Sequence, residues 1–492
     1  MNQGVQNFER SFDLLIDGVG TASAGDATVE VINPSNGQSY LSIPAGCDAD
    51  VDRAVASARL AFEDGRWSEL PTSVRKRTLH RLADLISDEA ATLDAFDAGE
   101  MGKPIGEVLF NATAAAALMR FYAEAVDKLT GDVYPGDRYA FVAQRRVPRG
   151  VVAAIVPWNF PTYIATLKVA PALAAGNCVV LKPSELSSRS AIRLGQLALR
   201  AGLPPGVLNV VLGLGQTVGR ALGLHPQVDM VTFTGSTDVG RRILQYAGQS
   251  NMKMVLAECG GKSPHIVFAD GVNLDVAAQA IAKMLVTNQG QICSVGSRLL
   301  VERSIGATML AKITARLSQV VIGDALDPKT TFGPLASAQQ CARVMRYIET
   351  AEVDGAQLAA GGRRVLQETG GYFVEPTIFS SVSPAARIAQ EEVFGPVLSV
   401  ITFDDEAEAV RIANGTMYGL AAYVWTRDLT TGMRIAKGLK SSVRINAVAP
   451  VGEGAGHASS YEPANQSGCG TEGGLAGMES YLRRQRIWIN HG

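Results

Sequence analysis

Apolar and polar positions follow two rhythms along this chain. Apolar Val51, Ala54, Val55, Ala58 and Phe62 recur at three- and four-residue steps, which predicts a helix over 48–62 with acidic residues in its first turn. The same spacing predicts helices over 74–93 and 112–122, with His80 on a polar face. Asn33-Pro34 and Asn36-Gly37 mark turns between short strands. From residue 151 short β-branched runs take over, at 151–156, 178–181, 207–212, 230–233, 254–257 and 265–268, with helical stretches at 187–201 and 239–247 between them. Strand–helix alternation predicts βαβ units and a parallel sheet, and unbroken apolar strands fit a sheet covered on both faces. A second α/β series has strands at 299–301, 397–403, 421–425 and 443–445 and helices at 305–320 and 337–349. Val142, Gln144 and Arg146, and Ile487 with Ile489, read as further strands. Residues 446–474, rich in Gly, Ser and Ala, predict a long functional or interface loop.

With 492 residues the chain exceeds one ordinary core, so two large domains and a small appendage are expected. Apolar residues at 47% and charged residues at 19% place it among compact globules. A net charge of −2 offers no basic surface for nucleic acid or an anionic membrane. No run reaches the ~18 apolar residues of a membrane span. Glu9, Arg10 and Asp13 precede any apolar run, unlike a secretory signal, so a cytoplasmic protein is expected. The cysteines are scattered without a CxxC pair and the histidines are isolated, so neither a disulfide framework nor a bound metal is expected.

Five local patterns carry candidate chemistry. Pro157-Trp158-Asn159-Phe160-Pro161 follows the strand at 151–156, where ligands of parallel sheets sit and a side-chain amide can donate to an oxyanion. Alone it reads equally as a proline-bounded turn. Lys182-Pro183-Ser184-Glu185 ends the next strand; an acidic side chain there can accept from ribose hydroxyls and repel a 2′-phosphate, or be a solvated turn. Gly235-Ser236 opens a strand–turn–helix in which free N–H groups can face a pyrophosphate, although GxxxxG departs from GxGxxG and a plain turn is the stronger reading in isolation. Glu258-Cys259-Gly260-Gly261 offers a carboxylate at a strand end, a base near neutral pH or a structural cap. Cys293 lies in the polar, glycine-flanked segment 288–298, which suits a reactive thiol better than a packed one. Together these point to a dinucleotide enzyme with a cysteine nucleophile.

These segments, in this order and spacing, resemble the aldehyde dehydrogenase superfamily from about residue 13 to the C-terminus, and Glu391-Glu392-Val393-Phe394-Gly395-Pro396 resembles its cofactor-positioning motif. The resemblance implies NAD-dependent oxidation of a small-molecule aldehyde to an acid, with NADP a less favoured cofactor. It assigns Cys293 as nucleophile, Asn159 and the Cys293 N–H as oxyanion donors, and Glu258 as the base that activates water against the thioester. Thiolate formation requires a lowered pKa. Lys168 and Glu472 match a pair that relays protons. Ile155, Trp158, Lys182, Ser184, Glu185, Gly215, Gly235, Ser236, Glu392 and Phe394 match cofactor positions. Ala114, Phe160, Leu167, Ile292, Ser294, Ala449 and Val451 match the substrate pocket; none is charged, which favours an aromatic or medium-sized aldehyde.

The implied fold is α/β: a Rossmann-like NAD-binding domain (1–127 and 149–259), an α/β catalytic domain (260–476) and a small β bridging domain (128–148 and 477–492) that makes homodimers or homotetramers. The chain departs from the family between Gly454 and Glu472. The Gly-Gly pair is absent, and Asn465 and Thr471 stand where Lys and Arg are expected. A longer loop carrying His457 and Tyr461 is expected to reshape the tunnel mouth. Three alternatives stay open: a cysteine hydrolase using His265 or His457, a CoA-acylating dehydrogenase, against which Glu258 argues, and a non-catalytic relative.

Overall fold

The structure, a computed structural model, describes residues 13–136, 138–448 and 455–491. Its centre is an eight-stranded sheet in which Leu208–Val210, Cys178–Lys182, Val151–Ile155, Met230–Thr234 and Met254–Glu258 run parallel in that order. Val151–Ile155 and Cys178–Lys182 are buried at every position, as strands covered on both faces must be. Antiparallel strands close the two edges: Leu14–Ile16 with Val19–Thr21 on one side and Gly468–Cys469 beside Met254–Glu258 on the other.

A seven-stranded sheet runs Gln357–Ala360, Thr377–Ser380, Val397–Phe403, Arg298–Glu302, Pro264–Val267, Ala421–Trp425, Ser442–Ile445, parallel except for its first strand. Asp132–Tyr134, Ala140–Pro148 and Leu482–Asn490 form a separate antiparallel sheet. The fold is of the α/β class, as expected. One apolar cluster joins the first sheet to the helices Asp48–Glu63, Thr72–Asp88, Ala112–Ala125 and Pro161–Ala174. Two more clusters flank the second sheet.

Local chemistry explains the elements. Val51, Ala54, Val55 and Ala58 are buried along one stripe of Asp48–Glu63, and the Asp50 carboxylate accepts from Cys47 N at 2.9 Å to cap it. The single helix expected over 74–93 is two helices, Thr72–Asp88 and Ala90–Met101. The break falls at Glu89, whose φ of −103° and ψ of 15° end the first helix and whose carboxylate is held by Arg193 and Arg200. The helix Pro161–Ala174 was not foreseen. It is buried almost all round, so it carries no amphipathic period. Residues 455–474 are tied down rather than looping free. Ala464–Asn465 pairs with Tyr418–Gly419, and Gly468–Cys469 pairs with Ala257 and Glu258. No helix among the described residues is long and apolar enough to cross a membrane.

Candidate active site

The singled-out residues sit in order at the carboxyl ends of the parallel strands. Gly215 lies beyond Leu208–Val210; Lys182, Ser184 and Glu185 end Cys178–Lys182; Trp158 and Asn159 follow Val151–Ile155; Gly235 and Ser236 follow Met230–Thr234; Glu258 ends Met254–Glu258. Ile155 is in register with Lys182 and Phe233. This is where ligands bind in open α/β sheets.

Asn159 and the segment before Cys293 meet across this end. The Asn159 amide donates from Nδ2 to the Gln291 carbonyl at 3.0 Å, and Asn288 Nδ2 donates to the Asn159 carbonyl at 2.8 Å. An amide nitrogen carries two donors, and this bond uses one of them. The turn before Cys293 is sharp: Asn288, Gln289 and Gly290 have φ of 46°, 54° and 68°. Only glycine fits at Gly290, where a Cβ would lie 2.5 Å from the Gly395 carbonyl. Cys293 is half-buried. Burial, then the charges of Glu392 and Glu258, push its thiol up to about 12. The resting thiol is therefore neutral, against the lowered value expected of a nucleophile.

Glu258 is 6% exposed and its Oε1 has no hydrogen-bond partner. Burial and the neighbouring Glu472 charge raise its proton affinity well above the carboxylate range, while Lys168 opposes the shift. Lys168 and Glu472 come together as expected, with Nζ 2.5 Å from Oε1 and both side chains buried. Tyr461 donates its hydroxyl to Glu472 Oε2 at 3.0 Å. Its polar end is thus turned onto the buried carboxylate. His457 stacks near Phe121, with ring centroids 6.4 Å apart.

Glu392 binds the glycine segment instead of standing free. Its Oε1 accepts from Gly261 N at 3.1 Å, and a Cβ on Gly260 would lie 2.3 Å from its Oε2. Burial lifts its carboxyl to about 7. Phe394 packs edge-on to Trp158 at 5.3 Å. Lys182 is 3% exposed, with its amine 3.5 Å from Glu185. The Ser184 hydroxyl accepts from Leu186 N at 3.2 Å. Ser236 caps the helix Thr237–Gln249 and is exposed, as is Gly215. Of the expected pocket residues, Ala114, Phe160 and Ile292 are buried and Leu167 and Ser294 are half-buried. Phe110 stacks on Phe160 and Tyr163 at 4.7 and 4.6 Å. Ala449 and Val451 lie outside the described residues.

Sequence reasoning missed several supports. Gln291 accepts the Asn159 bond and receives Ala336 N on its side chain at 3.0 Å. Arg343 donates to the Glu392 carbonyl at 2.6 Å and holds the segment that carries Phe394. The only sequence hint was Asn288 and Gly290, residue types that tolerate left-handed backbone. His265 does not serve the thiol. It is fully buried, accepts from Trp425 Nε1 at 3.2 Å and lies against Tyr423 at 4.7 Å, and burial pushes its ring down to about 3.

The family model of the aldehyde dehydrogenase family matches residues 21–487. The NADP/NAD-dependent aldehyde dehydrogenase PuuC of Escherichia coli (strain K12) is 43% identical over 485 residues, covering 97% of this chain and 95% of its own. A crystal structure of indole-3-acetaldehyde dehydrogenase complexed with NAD+ matches with a TM-score of 0.96 at 45% identity, covering 99% of this chain and 98% of the other. The crystal structure of γ-glutamyl-γ-aminobutyraldehyde dehydrogenase from Burkholderia cenocepacia J2315 matches with a TM-score of 0.96 at 44% identity and the same coverage.

Proposed function

The chain belongs to the aldehyde dehydrogenase family, and from that premise we propose that it oxidises an aldehyde to its carboxylic acid with NAD, through a thioester on Cys293 that Glu258 helps hydrolyse. The observation that carries this reading is that Asn159 is bonded to Gln291, two residues before Cys293, at the same end of the parallel sheet as Glu258, whose charge reaches that thiol.

The residues present fit a dinucleotide. Thr234 Oγ1 is buried without a partner beside Gly235, Ser236 leaves the N-terminus of a full-length helix open to solvent, and nothing would meet a Cβ at Gly215 within 4 Å. Ser236 would take the pyrophosphate, Lys182 and Glu185 the adenosine ribose, and Glu392 and Phe394 the nicotinamide end. When bound, NAD supplies the acceptor for the two electrons lost by the aldehyde carbon. The Glu185 carboxylate disfavours a 2′-phosphate.

The neutral thiol of Cys293 must lose its proton as its sulfur attacks the carbonyl carbon. That proton passes to solvent, which the half-buried thiol can reach, while Glu258, with its raised proton affinity, is suited to act in the later hydrolysis. The carbonyl oxygen becomes an oxyanion held by the second Asn159 N–H and the Cys293 N–H. As that oxyanion collapses, the carbon gives up its hydrogen with the two electrons of the C–H bond and a thioester remains on Cys293; in its hydrolysis Glu258 takes a proton from water, the new C–O bond displaces the sulfur as thiolate, and the acid leaves. Lys168 and Glu472 carry that proton away from the site. The pocket around Phe110, Phe160 and Tyr163 favours an aromatic or medium-sized aldehyde.

Single-turnover kinetics over an aldehyde panel test this. Cys293→Ala abolishes NADH formation while NAD still binds. Glu258→Gln leaves a burst of NADH and slows the steady rate, since only hydrolysis is impaired. Substantial oxidation by Cys293→Ala, or burst and steady rates falling together in Glu258→Gln, sinks the scheme.

A further inference from the structure

Glu472 is held at both carboxylate oxygens. Lys168 Nζ takes Oε1 at 2.5 Å and the Tyr461 hydroxyl takes Oε2 at 3.0 Å. The phenol cannot drift, because Tyr461 N donates to Glu472 O at 2.8 Å and Glu472 N returns the bond at 3.0 Å. Its ring also packs on the following turn, where a Cβ on Gly473 would lie 3.2 Å from Tyr461 Cε1. Other groups facing Glu472 are Glu258 and the phenols of Tyr122, Tyr163 and Tyr481. Tyr122 has no hydrogen-bond partner for its hydroxyl, and Tyr481 donates to Thr232 Oγ1 at 3.1 Å. Among the described residues, Tyr461 is therefore the one phenol bonded to this carboxylate.

We propose that Tyr461 is a positioning residue for thioester hydrolysis: with Lys168, whose amine also reaches Phe233 O on the strand beside Glu258, it fixes the Glu472 carboxylate behind the hydrolytic base. This rests on the reading of Glu258 as the hydrolytic base. A buried carboxylate bonded at one oxygen can rotate, whereas one bonded at both presents a constant charge to its neighbour. That constant charge raises the proton affinity of Glu258. A higher proton affinity makes the ionised Glu258 a stronger base toward water. Tyr461 belongs to the segment that departs most from the family pattern, so the coupling is built from this chain's own sequence.

Tyr461→Phe keeps the ring and removes the hydroxyl. The NADH burst and the KM for aldehyde stay near wild type. Hydrolysis after the burst slows about tenfold, the scale of one hydrogen bond to a charged group. The acidic limb of the kcat–pH profile shifts, because Glu258 then faces a carboxylate no longer held at both oxygens. In a Glu472→Gln background the same substitution adds nothing further. A wild-type hydrolysis rate and pH profile, or a full additional loss in the Glu472→Gln background, overturns the proposal. A fault in the underlying reading appears elsewhere: Glu258→Gln would then lose burst and steady rate together, whatever Tyr461→Phe does.

Discussion

Glu185 illustrates what one side chain can decide. Its carboxylate, 32% exposed, stands at the end of Cys178–Lys182 with only the Lys182 amine, 3.5 Å away, to offset it. A second negative group placed within a few ångströms costs on the order of 1–4 kcal/mol at surface dielectric values. The wild-type enzyme is therefore expected to prefer NAD, and Glu185→Ser should raise kcat/KM for NADP relative to NAD by about tenfold or more. Equal kcat/KM values for the two cofactors in the wild type would show that Glu185 points away from the ribose. At this scale much of the site was legible. Asn159 and Glu258 each stand in a proline- or glycine-marked turn after an apolar strand, and Cys293 in a polar, glycine-flanked segment after an apolar helix, so local sequence marked them. Their supports were not marked. Gln291 touches Asn159 across 132 positions and Arg343 reaches Glu392 across 49, separations at which no local pattern operates.

Elements were legible where one face is wet and the other dry. Asp48–Glu63 and Ala112–Ala125 follow that rule, whereas Pro161–Ala174, which carries Lys168 and follows Asn159, is buried on nearly every face and gave no period. What fixes elements around the Cys293 turn is equally invisible locally. Arg298, 2% exposed, opens the strand after that turn. It donates to three backbone carbonyls: Lys262 O at 2.8 Å, Ile412 O at 2.9 Å and Ala413 O at 2.8 Å. The last two are at the carboxyl end of the helix Glu406–Asn414, so one guanidinium ties that helix end to both strands beside the glycine segment. Arg298→Met keeps the apolar stem and orphans all three acceptors. The cost should reach about 3 kcal/mol, a fall of several degrees in Tm by differential scanning calorimetry. Arg298→Lys should recover only part of it, since an ammonium cannot reproduce the planar fork. An unchanged Tm in the Met variant would mean that water or rearranged backbone satisfies those carbonyls.

At the scale of the whole molecule, the small three-stranded sheet leaves apolar side chains uncovered. Val133 is 70%, Ile489 48% and Phe141 42% exposed on one of its faces and Trp488 64% on the other, while the clusters around the two large sheets are buried. Leu482–Asn490 forms one edge of this sheet, and among the described residues nothing pairs with its outer side. A nine-residue edge of this kind invites another strand. A second copy supplies it most simply, because a twofold interface buries the same patch on both partners. We therefore expect a homodimer or a larger even assembly. Trp488→Asp combined with Ile489→Lys should yield a monomer by sedimentation velocity. The strand also bears on chemistry. Its root is anchored to the eight-stranded sheet, where Asn177 Nδ2 donates to Tyr481 O at 3.0 Å and Arg149 Nε donates to Ser480 O at 2.6 Å. Glu472 lies just upstream, on the far side of the short helix Gly474–Glu479. A monomeric variant that keeps these anchors should retain NAD binding and the NADH burst, and should lose mainly steady-state turnover as the Glu472 segment loosens. Wild-type mass in the double variant would place the subunit contact on another face, and loss of the burst would mean that the sheet supports the Cys293 end of the site as well.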